Sequence, residues 1–156
     1  MHFDDVKRAS QRYEIIQLKR TMAPESVKEH SIYISAFGRA RAWREALETF
    51  EQMETKGLQA DTGAFNTMIS VLERAGRWEE ALSIFERMKK SINRPNVVTY
   101  LGAIGAAGRG GFWEQALSFL ELCKGIDGGV CDRTYCATIT ALGRCGQWEE
   151  AIRVFE

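Results

Sequence analysis

Apolar residues recur along this chain at the spacing of one helix face. Phe65, Met68, Ile69 and Leu72 stand at i, i+3, i+4 and i+7, a single stripe of a 3.6-residue period. The same spacing returns at Tyr100, Ala103, Ile104 and Ala107, and again at Tyr135, Thr138, Ile139 and Leu142. A second kind of stripe, Trp78, Ala81, Leu82, Phe85 and Met88, follows the first. The pattern predicts amphipathic helices in pairs. Between the two members of a pair lies Ala75-Gly76, Gly110-Gly111 or Cys145-Gly146, and glycine there suits the positive φ of a helix C-terminal cap. Glu79-Glu80 and Glu149-Glu150 open second helices, where they favour the positive end of the dipole.

The pairs repeat every 35 residues without an insertion. Trp43, Trp78, Trp113 and Trp148 mark the register, with Ala46, Ala81, Ala116 and Ala151 three residues later and Phe50, Phe85, Leu120 and Phe155 seven later. Arg39, Arg74, Arg109 and Arg144 stand four residues before, and His30, Phe65, Tyr100 and Tyr135 thirteen before. The units are 27–61, 62–96, 97–131 and an incomplete 132–156. Residues 1–26, with Val6, Tyr13, Ile15, Ile16 and Leu18, form a degenerate unit or an N-terminal cap. One hairpin has two apolar faces and buries both only by stacking on its neighbours. The expected fold is therefore all-α: a right-handed α-solenoid of stacked helix-turn-helix repeats, a tetratricopeptide-like superhelix. Its alanine column marks close approach between helices, and its four tryptophans are expected in the core. Glu156 falls eight residues past Trp148, in mid-helix, so the chain reads as a piece of a longer array with an open apolar end.

Composition removes several classes of function. Formal net charge is zero, so bulk charge argues for neither nucleic acid nor membrane. Cys123, Cys131, Cys136 and Cys145 form no Cys-x-x-Cys pair, and His2 and His30 lie far away in sequence; reduced structural thiols are expected rather than a metal site. No apolar run reaches the roughly 18 residues of a membrane span. The N-terminus shows no targeting peptide. There is no P-loop, no dinucleotide glycine fingerprint and no metal-ligand spacing. The expectation is a binding scaffold, not an enzyme, with no cofactor, no metal and no small-molecule substrate.

Several segments resemble a known family. Asn96-Val97-Val98-Thr99-Tyr100 is similar to the opening of a pentatricopeptide repeat. Residues 75–82, Ala-Gly-Arg-Trp-Glu-Glu-Ala-Leu, and 85–89, Phe-Glu-Arg-Met-Lys, resemble its second half, and Pro95-Asn96 resembles its closing Pro-Asp. The resemblance covers about residues 27–156. It implies sequence-selective binding of single-stranded RNA in mitochondria or plastids, one base per unit, read by the fifth and last residues of the unit. Carried onto this chain, the pairs are Ser31 with Asp61, similar to guanine-favouring combinations, and Asn66 with Asn96, similar to pyrimidine-reading ones. The third pair is Leu101 with Cys131, in which leucine offers no hydrogen bond. The fourth has only Cys136. The second residue of each unit supplies a wall between bases in the family; here it is Lys28, Gly63, Val98 and Arg133. Of these only Val98 is aliphatic, while Lys28 and Arg133 are suited to stacking or phosphate.

Charge placement adds to this. First-helix segments hold six basic and three acidic residues, net +3, and second-helix segments seven and twelve, net −5. Arg39, Arg74, Arg109 and Arg144 recur once per unit and are candidates for phosphate contact, or for capping carbonyls at helix ends. Two functions follow. One is an RNA-binding array in organellar RNA processing, stability, editing or translation. The other is a protein-binding scaffold subunit of a large organellar assembly such as a ribosome, engaging partners through the open ends or the concave groove; Leu101 and Cys136 suit that reading better than they suit a base.

Overall fold

The computed structural model describes residues 24–126 and 130–155, with Tyr13 and Gln17 as isolated helical positions. The expected N-terminal cap therefore lies almost wholly outside the described residues. Eight helices follow one another among the described residues: α1 Val27–Arg39, α2 Trp43–Thr55, α3 Thr62–Arg74, α4 Trp78–Lys90, α5 Val97–Gly110, α6 Trp113–Lys124, α7 Asp132–Arg144 and α8 Trp148–Phe155. The chain forms two compact units, one up to Val71 and one from Leu72.

The odd-numbered helices start where a capping side chain precedes them. Ser26 Oγ accepts from the Glu29 N–H at 3.2 Å, and the Glu29 carboxylate accepts from the Ser26 N–H at 3.4 Å, a reciprocal capping box. Asp61 Oδ1 accepts from the Ala64 N–H at 2.7 Å. Asn96 Oδ1 accepts from the Thr99 N–H at 3.0 Å, while Thr99 Oγ1 accepts from the Asn96 N–H at 3.1 Å. Cys131 holds the same place before α7, its N–H donating to Thr134 Oγ1 at 3.1 Å. Each such cap satisfies backbone donors that a bare helix end leaves open.

The turns between paired helices close as the glycines predict. The N–H groups of Ala42, Arg77, Phe112 and Gln147 each donate to the carbonyl five residues back, at 2.8–2.9 Å, the long bond of a Schellman cap. Gly76, Gly111 and Gly146 take φ of +75°, +83° and +74°. In the first turn the same conformation falls on Arg41, at φ 57°.

In the first unit α1 packs on α2. Ile34, Phe37, Ala46 and Phe50 are fully buried there, and Phe50 meets Phe65 edge-on, with ring centroids 5.3 Å apart. In the second unit Phe85 is the hub, with its ring 5.4 Å from Tyr100 and 4.9 Å from Phe119, both in edge-on geometry. Helices α5 and α7 lie side by side. Gly108 faces Ala141 so closely that a Cβ on the glycine would stand 2.7 Å from the Ala141 Cα.

The stripes read from the sequence are largely the buried faces, but in α7 the buried set is Thr134, Thr138, Ala141 and Leu142, with Tyr135 and Ile139 only half-buried, and α4 and the tryptophans differ as well. In α4 the buried set is Ala81, Ile84, Phe85 and Met88; Leu82 is only half-buried. The tryptophans are not core residues. Trp43, Trp78 and Trp113 are half-buried and Trp148 is 64% exposed. Each is the first residue of its helix, and the Trp78 ring lies over the preceding turn, where an added Cβ on Gly76 would touch it at 3.9 Å. The columns that fill the core are instead the alanine three residues later and the large apolar residue seven later, at Phe50, Phe85 and Leu120, while Phe155 in α8 is 83% exposed. Ala46, Ala81 and Ala116 are fully buried, while Ala151 in α8 is half-buried.

Candidate nucleic-acid interface

The fifth residue of each unit and the arginine of that unit share one helix face. Ser31, Ser35 and Arg39 follow one another at i, i+4 and i+8 along α1, as do Asn66, Ser70 and Arg74 along α3. Leu101, Gly105 and Arg109 do the same on α5, and Cys136, Thr140 and Arg144 on α7. Residues at this spacing lie on one side of a helix, and eight residues of rise separate the ends by about 12 Å. All four arginines are exposed. Cys136 and Thr140 are exposed, and Asn66, Ser70, Leu101 and Gly105 are half-buried. Each unit thus places its fifth residue and its arginine on one side of its first helix. The core residues His30, Ile34 and Phe37 occupy the opposite side of α1.

The second set of base-reading candidates, Asp61, Asn96 and Cys131, is the N-cap set. A cap bond to the backbone fixes the side-chain rotamer and leaves the remaining polar surface at the helix mouth. Asp61 and Asn96 are exposed and Cys131 is half-buried. The Thr134 backbone N–H at the start of α7 draws the Cys131 thiol below its ordinary pKa, as a helix N-terminus does for a thiolate. The wall candidates Lys28, Gly63, Val98 and Arg133 are all exposed on first turns, Val98 at 60%.

Ser31 departs from this arrangement. Its Oγ is closed off from solvent and makes no hydrogen bond among the described residues, so Ser31 is not presented as Cys136 is.

The arginines are not equivalent. Arg109 is exposed but turned onto the preceding first helix: its Nη2 lies 3.6 Å from Glu73 Oε1 and its Nη1 donates to the Glu73 carbonyl at 3.5 Å. Arg109 thus contacts both the carboxylate and the carbonyl of Glu73. Burial pushes the Glu73 carboxyl above its ordinary pKa, and Arg109, Arg74 and Arg144 oppose that push. Arg109 makes the ion pair with this half-buried acid, and the charges of Arg74 and Arg144 act on it as well. No group of three or more His, Cys, Asp or Glu capable of holding a metal occurs among the described residues.

Two features of this face were not found from the sequence. The capping column was legible, because Ser26, Asp61 and Asn96 are preferred N-cap types immediately before apolar stripes. Glu73 carried only a weak signal, an acid in a column otherwise occupied by Gly38, Gly108 and Gly143.

Helix pairs with capped first helices, glycine turns and an open polar face define an all-α tandem-repeat scaffold. Residues 60–107 match the model of the PPR repeat family, and residues 30–58 and 133–156 match the PPR repeat. The chain belongs to the pentatricopeptide repeat family. Among solved structures it is similar to the pentatricopeptide repeat protein PPR10, in a variant with three cysteines changed to serine, in complex with an 18-nt PSAJ RNA element: 26% identity over 95% of this chain and 23% of that one, TM-score 0.76. A second complex of PPR10 with an 18-nt psaJ RNA element matches at 25% identity with the same coverage and TM-score. PPR10 from maize matches at 27% identity, 90% of this chain and 20% of that one, TM-score 0.62. These matches place the fold in the class of all-α helical-repeat solenoids. The chain spans less than a quarter of the length of the solved proteins it matches. No curated protein matches it.

Proposed function

We propose that this chain binds single-stranded RNA, as a segment of an array acting in organellar RNA processing, stability, editing or translation. The observation that carries the proposal is the shared face: in each unit the fifth residue and the arginine stand eight residues apart on one side of the first helix. That side offers a base-edge contact and a phosphate contact together. The likeness to structures of PPR10 in complex with an RNA element supports the same reading. Asn66 with Asn96 is the pair proposed to read a base, and Asp61 offers an acceptor fixed by its cap bond. Binding, not a reaction, is the proposed activity. A mitochondrial or plastid setting follows from family membership.

Titration of a labelled, randomised single-stranded RNA, followed by anisotropy at several salt concentrations, tests the proposal. The comparison is a variant with Arg39, Arg74, Arg109 and Arg144 changed to Glu, its helicity checked by circular dichroism. Four phosphate contacts give a slope of log K against log salt of roughly −3 on a single strand. A salt-sensitive affinity that the helical variant loses supports the proposal. A folded chain with no salt-sensitive RNA affinity sinks it and favours the protein-scaffold reading, to which Leu101 and Cys136 lend themselves.

A further inference from the structure

The second unit contains a cleft where the end of α3 meets α5 and α7. It encloses about 250 Å³ and is lined by Glu73, Gly105, Arg109, Cys136, Thr140 and Arg144 among others. Two of these depart from their columns together. Where Glu73 stands, the other units have Gly38, Gly108 and Gly143; where Gly105 stands, they have Ser35, Ser70 and Thr140. The departures compensate in space, because a Cβ on Gly105 would come within 2.5 Å of Glu73 Oε1. The missing side chain on α5 makes the room that the carboxylate occupies. Glu73 is neither core nor solvated: its side chain is 19% exposed and its Oε1 lies 3.6 Å from Arg109 Nη2. The cleft opens on the face that carries Cys136, a fifth-position residue.

We propose that Glu73, flanked by Arg109 and Arg144, is a base-reading residue of this cleft and selects guanine; the inference rests on the RNA-binding reading above. A carboxylate accepts and never donates when ionised. Guanine is the base whose pairing edge sets two donors, N1–H and N2–H₂, side by side, with no acceptor between them to face the carboxylate. Its O6 and N7 acceptors are matched by a guanidinium, and two stand beside the cleft. Adenine and cytosine would turn a ring nitrogen acceptor toward the carboxylate, and uracil two carbonyl oxygens flanking its one donor. Each mismatch sets an acceptor lone pair against the carboxylate in a half-buried site, where screening is weak. The cleft also supplies a reader where the regular pair is poor, since Leu101 has no polar atom to offer.

The test selects RNA from a randomised single-stranded pool with the intact chain and sequences the bound fraction. It is repeated with Glu73→Gln, which keeps the shape and removes the charge, and with Gly105→Ala, which keeps the charge and fills the notch. Circular dichroism confirms that both variants are helical. The expected result is one position enriched in guanine by about tenfold or more in the parent, lost in Glu73→Gln and weakened in Gly105→Ala. Any guanine read through Ser31 and Asp61 stays in place. Bound RNA with no guanine position that depends on Glu73 overturns this inference and leaves RNA binding intact, the Glu73–Arg109 pair then being structural only. Failure of the parent to retain any of the pool overturns the RNA-binding reading and this inference with it.

Discussion

Gly108 on α5 and Ala141 on α7 touch so closely that the glycine has no room for a methyl group: a Cβ there would stand 2.7 Å from the Ala141 Cα and nearer still to its Cβ. The two first helices of the second unit meet at this point, and the face that carries Arg109 and Arg144 is held in register by it. Gly108→Ala is expected to destabilise the chain by roughly 1–3 kcal/mol, the usual cost of overpacking a tight contact. Urea unfolding followed by circular dichroism measures it; an unchanged midpoint would mean that the helices separate at little cost.

Arg41 pays for a conformation that its three counterparts meet with glycine. Its φ of 57° matches the turn geometry of Gly76, Gly111 and Gly146, and the left-handed region disfavours a residue with a Cβ by roughly 1–2 kcal/mol. Arg41→Gly is expected to raise stability by about 1 kcal/mol after the glycine's extra unfolded-state entropy is subtracted. Thermal melts of parent and variant decide it, and a lower melting temperature in the variant would refute the strain.

Asn96 separates capping from reading. Asn96→Ala removes the acceptor of the Thr99 N–H and is expected to cost about 1 kcal/mol. Asn96→Asp keeps the acceptor and so the stability, while changing the donor and acceptor set offered to a base. If RNA preference at one nucleotide changes in Asn96→Asp with the unfolding midpoint held, the two roles are distinct. A preference that follows stability in both variants would reduce the residue to a cap.

Cys131 and Cys123 are expected to react in a definite order. The Cys131 thiol is drawn below its ordinary pKa by the Thr134 backbone N–H, whereas burial raises that of Cys123. Cys123 is fully buried and Cys136 exposed. Because the thiolate is the nucleophile, iodoacetamide labelling should remain appreciable at Cys131 as pH falls toward neutrality. Cys123 should label last at every pH. Mass spectrometry of the labelled peptides gives the order, and Cys123 labelling early would contradict the packing of α6.

Glu73 should leave a signature in stability against pH. Its folded pKa is raised, with burial as the first cause, so ionisation costs more in the folded chain than in the unfolded one. The stabilising contribution of the neutral form is complete below the ordinary value of 4.5 and is lost as pH rises through the folded value. Glu73→Gln is therefore expected to gain on the parent between that acidic region and neutrality. Urea midpoints of both proteins at pH 4.5 and pH 7 test the sign, and a gap that narrows toward neutrality would place the pairing with Arg109 above burial.

The helices and their buried stripes could be read from the sequence because burial and periodicity are one constraint. Phe65, Met68, Ile69 and Leu72 could hardly share a face and lie elsewhere. The tryptophans misled for a related reason. Their 35-residue register reports a fixed place in the repeat, and a fixed place is not depth: the first residue of a second helix faces the turn. The face joining the fifth residues to the arginines was also legible, since i, i+4 and i+8 need no tertiary information. What sequence could not reveal was the pairing of Glu73 with the gap at Gly105. The two are 32 residues apart, and only the lateral contact of neighbouring repeats brings a carboxylate over a missing side chain. The enclosure of Ser31 Oγ depends likewise on what packs around α1.

The residue that begins each first helix is also the one expected to finish reading each base, which restricts how such a chain can be rewritten. A designer choosing a new letter at Asp61 or Asn96 cannot draw on all twenty side chains, because most would leave the helix mouth unsealed. The usable vocabulary shrinks to short polar groups that bend back to their own backbone while showing a second atom outward. Cys131 marks the edge of that vocabulary. New specificity is more cheaply written at positions 66, 101 and 136, in mid-helix, where the backbone asks nothing of the side chain.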